Sequence, residues 1–83
     1  MQLLYFAWLR TKIGVGEETL DLPPEVVSVN DLLHWLSGRG ERYAEALNDL
    51  SLVRVAVNQE YVGLDHTVGP DDEVALFPPV TGG

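Results

Sequence analysis

The most distinctive chemistry in this sequence lies at its C-terminal end, which closes with Gly82-Gly83. Neither residue has a Cβ, so no side chain shields the terminal carboxylate, and such an end can enter a very narrow channel. The preceding Pro78-Pro79 pair holds the backbone extended and stiff. At about 3.3 Å per residue, the segment 78–83 would reach about 20 Å beyond a folded core. The pattern predicts a chain end delivered as a reagent into another protein's active site; a frayed, glycine-rich terminus is the alternative.

The rest of the sequence lacks the residue patterns of a catalytic or metal site. It contains no cysteine, which excludes a thiolate nucleophile, a disulfide and a thiolate metal ligand. The two histidines, His34 and His66, stand far apart, and neither belongs to a zinc-binding motif such as HExxH. The carboxylates are scattered along the chain and are expected to be solvated. We therefore predict no metal site and no cofactor-binding site.

Composition indicates one small globular domain with an acidic surface. Of 83 residues, 46% are hydrophobic, and 13 Asp and Glu outnumber 5 Lys and Arg, for a net charge of -8. Such a chain repels phosphate backbones, so nucleic-acid binding is disfavoured and a basic partner surface is favoured. The longest apolar run, Leu3 to Leu9, is shorter than the roughly 18 residues of a membrane span. It also lacks the features of a signal peptide, which predicts a cytoplasmic protein with no membrane association.

Five strands and two helices are predicted to position the C-terminal segment. Aromatic or β-branched runs bounded by turn residues predict strands at 2–10, 19–22, 52–58, 61–62 and 73–77. A main helix is predicted to begin near Ser28–Asn30, capped by one of those two residues, and to end at Gly38. A shorter helix is predicted from Glu41 to Leu50. The order is therefore two strands, two helices and three strands.

Hydrophobic spacing predicts the core and the fold class. The main helix has apolar residues at i, i+3, i+4 and i+7 from Val29, which form one stripe. Together with alternate strand positions, this stripe predicts a core of Leu32, Leu33, Leu36, Val55, Val57, Val74 and Leu76. The two terminal strands are the most hydrophobic, which favours their pairing in the middle of the sheet. The predicted fold class is α+β, a mixed sheet with one main helix across one face and a short second helix.

The other face of the predicted sheet is also apolar. In the first predicted strand, Leu4, Phe6 and Trp8 alternate with the core positions, and Phe77 does so in the last strand. Tyr61 is expected to join them. An apolar patch on an open sheet face is typical of a binding surface. The alternative is that the second helix or a loop covers this face.

Three segments make the sequence similar to a known family. They are Phe6–Arg10, Arg54–Glu60 and Asp72–Gly83, and the ending FPPVTGG is the most specific part. The chain resembles the small subunits of molybdopterin synthase, which are sulfur carriers of the ubiquitin-like β-grasp class. The resemblance covers nearly the whole chain. Two positions depart from the family: Asp71-Asp72 stands in a turn where Gly-Asp is common, and Leu76 stands in the core where Phe is common. The resemblance implies a β-grasp domain over 1–77 and a flexible tail over 78–83.

The resemblance also implies a chemistry for the tail. An E1-like activating enzyme adenylates Gly83 with ATP, and a persulfide donor then supplies the sulfur of a thiocarboxylate. The tail, including Gly82, enters the large subunit of the synthase and donates sulfur to cyclic pyranopterin monophosphate in molybdenum cofactor biosynthesis. The catalytic residues would lie on the partners of a heterotetramer, and ATP would be used by the activating enzyme rather than bound stably here. The residues implied to contact partners are Phe6, Tyr61, Phe77, Pro78, Pro79, Val80 and Thr81.

Three other interpretations stay open at the level of sequence. One is a sulfur carrier for another pathway, such as thiazole synthesis or tRNA thiolation. Another is a protein modifier of the ubiquitin type, although Lys12 is the one lysine available for chain building. The third is an interaction module whose tail does no chemistry. Deletion of Gly83 separates these classes, because a non-covalent module would keep its function.

Overall fold

The structure is a computed structural model that describes residues 1–79. The predictions for Val80, Thr81, Gly82 and Gly83, including the reach and flexibility of the tail, lie outside the described residues. The strands are β1 (Gln2–Tyr5), β2 (Glu17–Thr19), β3 (Arg54–Val57), β4 (Glu60–Val62) and β5 (Glu73–Phe77). The helices are α1 (Ala7–Ile13), α2 (Val29–Ser37) and α3 (Glu41–Ala46), and a 3-10 turn follows at Leu50–Leu52.

The two terminal strands lie side by side in the middle of the sheet. The five strands are ordered β2-β1-β5-β3-β4. The β1 and β5 strands pair in parallel, from Gln2 opposite Glu73 to Tyr5 opposite Leu76, whereas the other neighbours pair antiparallel. The predicted mixed sheet with adjacent terminal strands is therefore confirmed.

Helix α2 forms where the sequence predicts the main helix. Ser28 caps it: its side chain accepts a hydrogen bond from the Asp31 backbone N–H at 3.1 Å, and the Asp31 carboxylate accepts one from the Ser28 backbone N–H at 3.2 Å. This reciprocal capping box satisfies backbone donors that a helix start leaves without partners. The helix ends at Gly38, whose backbone N–H donates to the His34 carbonyl.

The core lies between the helices and one face of the sheet. All the residues predicted for the core are buried, namely Leu32, Leu33, Leu36, Val55, Val57, Val74 and Leu76. They pack with Leu3 and Tyr5 of β1 and with Leu9 and Ile13 of α1. The opposite face keeps Phe6 49% and Tyr61 80% exposed. The alternative in which a helix or loop covers that face is therefore wrong for the described part of the chain.

The first strand is much shorter than the predicted strand over 2–10. It ends at Tyr5, Ala7 adopts a φ of 55°, and helix α1 begins there. Because α1 is a helix, Leu9 and Ile13, four positions apart, share its buried face. Gly14, with a φ of 98°, ends the helix and donates its N–H to the Arg10 carbonyl. Trp8 consequently lies on α1, 38% exposed, and not on the sheet face where the sequence placed it.

Other element boundaries differ from prediction by a few residues. Strand β2 covers 17–19 instead of 19–22, because Glu17 and Glu18 pair with Leu4 and Leu3 of β1. Helix α3 stops at Ala46 instead of reaching Leu50. The Asp49 carboxylate then accepts the Ser51 backbone N–H and begins a separate 3-10 turn. Within residues 1–79, no helix combines the length and apolar character needed to cross a membrane.

Candidate partner-binding face

Strand register brings the predicted partner-binding residues onto one side of the sheet. Residues directly opposite each other in register share a face, and Leu4 lies opposite Ala75, which lies opposite Ala56, which lies opposite Tyr61. Phe77 follows Ala75 by two positions and so lies on the same face. We call this side of the sheet, opposite the helices, the open face.

Tyr61 and Phe77 form the centre of an aromatic patch on the open face. Their ring centroids are 5.3 Å apart, with an interplanar angle of 40°, a favourable tilted arrangement. The pair borders a surface pocket of about 350 Å³ that Arg54, Val55 and Val62 also line. A partner side chain entering this pocket would displace water from preformed aromatic surface.

Phe6 extends the patch across the end of the sheet. Its backbone N–H donates to the Leu76 carbonyl at 3.1 Å, which places Phe6 beside the last residues of β5. It lines a second pocket of about 350 Å³ together with Leu4 and Arg10. We define the aromatic patch as Phe6, Tyr61 and Phe77.

The C-terminal segment leaves the sheet at this patch. Phe77 is the last residue of β5, and Pro78 and Pro79 follow it directly, each half-buried. Of the predicted site residues, Phe6, Tyr61, Phe77, Pro78 and Pro79 thus lie at one end of the open face. The remaining predicted site residues, Val80 to Gly83, lie outside the described part.

A cation beside the patch was missed by the sequence analysis. Arg54 lies opposite Phe77 in register and therefore on the open face. Its Nη1 donates to the backbone carbonyls of Ser51 at 3.1 Å and Val53 at 3.3 Å. The alternation of valines at positions 53, 55 and 57 of the sequence was the signal that could have placed Arg54 on the opposite side from the core.

The helix side carries a polar network that holds elements together. Both Tyr5 and Tyr43 donate their hydroxyl hydrogen to Glu18 Oε2 at 2.8 Å, and Arg39 Nη1 lies 3.4 Å from Glu18 Oε1. Burial, followed by the hydrogen bond to Glu18, raises the pKa of both tyrosines above the ordinary value. The Arg39 guanidinium also lies over the rings of Tyr43, at 5.1 Å, and Trp35, at 5.7 Å. The network joins β1, β2, α2 and α3 and has a structural role.

The structure exposes the side chains of both histidines, His34 and His66. Within residues 1–79, no group of three or more histidine and carboxylate side chains converges in a way that could hold a metal ion. The described structure places Pro78 and Pro79 directly after the aromatic patch.

Comparison with known proteins identifies the family. The model of the ThiS family matches residues 3–83. The chain belongs to the ThiS family. One similar protein is the molybdopterin synthase sulfur carrier subunit of Escherichia coli (strain K12), which is 37% identical over 100% of this chain and 99% of its own length. The sequence-based resemblance to these sulfur carriers is confirmed.

Solved structures of similar proteins share the fold of this ThiS family member. The putative molybdopterin converting factor, subunit 1, from Pyrococcus furiosus is 33% identical, with a TM-score of 0.76 over 95% of both chains. SAMP1 from Haloferax volcanii is 29% identical, with a TM-score of 0.74 over 100% of this chain and 98% of its own. The predicted α+β, ubiquitin-like β-grasp fold is thereby confirmed.

Proposed function

We propose that this chain is the sulfur carrier subunit of a molybdopterin synthase and acts in molybdenum cofactor biosynthesis. The observation that carries the proposal is the exit of the C-terminal segment from β5 at Phe77, within the aromatic patch. A partner that binds this patch meets the beginning of the tail at the same place. The identity to molybdopterin synthase sulfur carrier subunits over the full chain supports the same role.

The proposed chemistry takes place on Gly83. A carboxylate is a poor electrophile, so an E1-like enzyme first joins it to AMP from ATP and releases pyrophosphate. The resulting mixed anhydride is reactive enough for the terminal sulfur of a donor persulfide to displace AMP and form an acyl disulfide. A second thiol then attacks the donor's own sulfur, which leaves a disulfide on the donor side and releases the thiocarboxylate on Gly83. The thiocarboxylate then donates its sulfur to cyclic pyranopterin monophosphate. A chain without cysteine fits this scheme, since the sulfur travels on the chain end, and the ATP site and the catalytic residues belong to the partners.

The proposed partner is the large subunit of the synthase, in a heterotetramer formed in the cytoplasm. Its docking surface would cover the aromatic patch, while the tail enters its active site. Because the tail leaves beside the patch, the activating enzyme would use the same face at a different time. The residues assigned to these contacts are Phe6, Tyr61, Phe77, Pro78, Pro79, Val80 and Thr81, and Gly82 and Gly83 enter the active sites.

Deletion of Gly83 tests the carrier role. The truncated chain is expected to fold normally, because the core lies within residues 1–79, but to form no acyl-adenylate and accept no sulfur. The measurement is intact mass after incubation with activating enzyme, ATP and a persulfide donor, with Val27→Ala as the control, because Val27 is exposed and lies outside the assigned contacts. Dithiolene formation by the truncated chain at the parent rate would contradict the proposal.

Truncation of the patch tests the docking role. Phe77→Ala is expected to weaken binding to the large subunit by at least about 1–2 kcal/mol, since it removes a central aromatic anchor. Val27→Ala is the matched control, because Val27 is 56% exposed and lies in the loop before α2. Isothermal titration calorimetry measures the affinity, and circular dichroism checks that both variants fold. Equal affinities of the two variants would rule out the patch as the docking surface.

A second candidate function is protein modification. The observation that favours it is the similarity over the whole chain to SAMP1 from Haloferax volcanii, which is a small archaeal modifier protein. In that case Gly83 would end in an amide bond to lysines of other proteins. Mass spectrometry of native cell extracts distinguishes the functions: a modifier leaves glycine remnants on target lysines, whereas a dedicated carrier is recovered only as free acid and thiocarboxylate.

A further inference from the structure

We infer that Arg54 pairs with a carboxylate on the large subunit and fixes the orientation in which that subunit docks on the open face. The inference rests on the proposed function, because it takes the large subunit as the partner. It specifies the chemistry of that partner's surface: an acidic side chain beside an apolar group that fills the Tyr61–Phe77 pocket.

The guanidinium of Arg54 is held in place but has free donors. Its Nη1 donates to the carbonyls of Ser51 and Val53. Within residues 1–79, Nε and Nη2 have no hydrogen-bond acceptor, and no carboxylate lies within 4.0 Å of the guanidinium. The edge formed by Nε and Nη2 matches a carboxylate and can bind it with two parallel hydrogen bonds.

Arg54 also lies against the part of the face that a partner must cover. It lines the pocket shared with Tyr61 and Phe77. A partner group that enters the pocket removes water from the guanidinium, which strengthens its interaction with a carboxylate and penalises an uncharged contact. We therefore expect the partner to carry an acidic side chain next to the group that fills the pocket.

Arg54 and Glu73 lie at opposite ends of the open face. Arg54 lies opposite Phe77 at the tail end, and Arg10 borders the pocket beside Phe6 at the same end. Glu73 begins β5 at the far end, whereas Glu17 borders the same pocket as Phe6 and Arg10. Glu73 and Phe77 are four residues apart, or about 13 Å along a strand.

This separation makes the face a poor match for a partner docked the wrong way round. A large subunit that is acidic near Arg54 and basic near Glu73 meets favourable charges in one orientation and like charges in the reversed one. In the favourable orientation its active site lies toward Pro78. The overall charge of -8 favours a basic partner in general, so the acidic contact at Arg54 is a local exception that identifies the tail end.

The test compares the loss of Arg54 with the loss of a matched arginine. Arg42 lies on α3, on the helix side of the sheet, and is exposed. We expect Arg54→Gln to weaken binding to the large subunit about tenfold, mainly through faster dissociation. Arg54→Lys is expected to weaken binding less, because it keeps the charge but not the two parallel hydrogen bonds. Arg42→Gln changes the net charge equally and is expected to change the affinity less than about twofold, the scale of a distant surface charge. Equal effects of the Arg54→Gln and Arg42→Gln variants would overturn the inference.

A charge exchange makes the test independent of the first variant. Arg54→Glu is combined in turn with large-subunit variants in which each surface Asp or Glu is changed to Lys. Restoration of binding by one exchange supports the ion pair, whereas no restoration by any of them disproves it. If the parent chain itself fails to bind the large subunit, the proposed function is wrong; if it binds and Arg54→Gln binds equally well, only the orientation role is wrong.

Discussion

Glu18 shows how one carboxylate organises the helix side of this small domain. It accepts hydrogen bonds from Tyr5 and Tyr43 and pairs with Arg39, so a single side chain joins residues from separate elements. The Tyr5 side chain is almost completely buried, and its hydroxyl group needs an acceptor there, because an unsatisfied buried donor is unfavourable by about 1–3 kcal/mol. The charge on Glu18 also makes ionisation of either phenol unfavourable.

The raised pKa of Tyr5 predicts a loss of stability at alkaline pH. In the unfolded chain a tyrosine ionises near pH 10, whereas burial and Glu18 keep Tyr5 protonated above that pH in the folded state. Its stabilising contribution is therefore fully present below about pH 10 and is lost as the pH rises further. We expect the free energy of unfolding in urea to fall above about pH 10, and to fall less steeply in Tyr5→Phe.

A conservative control separates this effect from the loss of a hydroxyl group. Tyr61→Phe removes an exposed hydroxyl group that makes no hydrogen bond within the described residues, so its stability at neutral pH is expected to match the parent. Tyr5→Phe is expected to lose about 0.5–1.5 kcal/mol at neutral pH. An alkaline slope in Tyr5→Phe as steep as in the parent would show that Tyr5 is not responsible.

Helix α2 is the element whose local sequence agrees most fully with its structure. The capping residues, the apolar stripe and the terminal glycine all indicate the same boundaries. Hydrogen bonds from the backbone N–H of Val27 and from Ser28 lower the pKa of Asp31. Because the helix lies across the core face of the sheet, a loosened first turn would also loosen the packing of Val29 and Leu32.

The capping box predicts both a mutational effect and a dependence on acid. Ser28→Ala is expected to lower the free energy of unfolding by about 1 kcal/mol, whereas Asn30→Ala, at the other cap candidate, is expected to have little effect. Since the pKa of Asp31 is depressed in the folded state, its contribution is present above about pH 4 and is lost as the pH falls through the folded-state value. Urea unfolding between neutral and acid pH measures both, and equal losses in the two variants would contradict the Ser28 cap.

At the scale of the whole molecule, the sheet has one face that the helices bury and one open face, which we propose for recognition. The helices bury one side, and the other leaves Phe6 and Tyr61 exposed although the chain is small and its core modest. Stability and docking therefore depend on different residues. A change in the core should affect folding first, and a change in the aromatic patch should affect binding alone.

Leu36→Ala tests this division. Leu36 is fully buried, and its truncation is expected to lower the free energy of unfolding by about 2–5 kcal/mol. Leu52→Ala removes the same atoms from a residue that is 47% exposed and is expected to have a much smaller effect. Chemical denaturation gives both values, and similar losses would mean that α2 does not pack on the sheet as described.

Much of this architecture could be predicted because local and long-range preferences coincide. The stripe on α2 is apolar at helical spacing, and β5 alternates buried and half-buried residues at the spacing of a strand. Such periodic patterns allow only one burial choice. The two terminal strands are apolar on both sides, which already favours a central place in the sheet. The lack of a side chain beside the terminal carboxylate likewise follows from Gly82 and Gly83 alone, whereas the sulfur chemistry is implied by the family resemblance.

Tertiary structure alone decided the point at which β1 ends and the charges that surround the patch. Residues 6–10 belong to the strand predicted over 2–10, but helix α1 begins at Ala7, whose φ is 55°, and buries Leu9 and Ile13 against the core. Arg54 is one exposed residue among many in the sequence, and it becomes distinctive only because pairing of β3 with β5 sets it opposite Phe77. Both outcomes depend on contacts between residues far apart in the chain, and the local sequence does not specify which residues those contacts bring together.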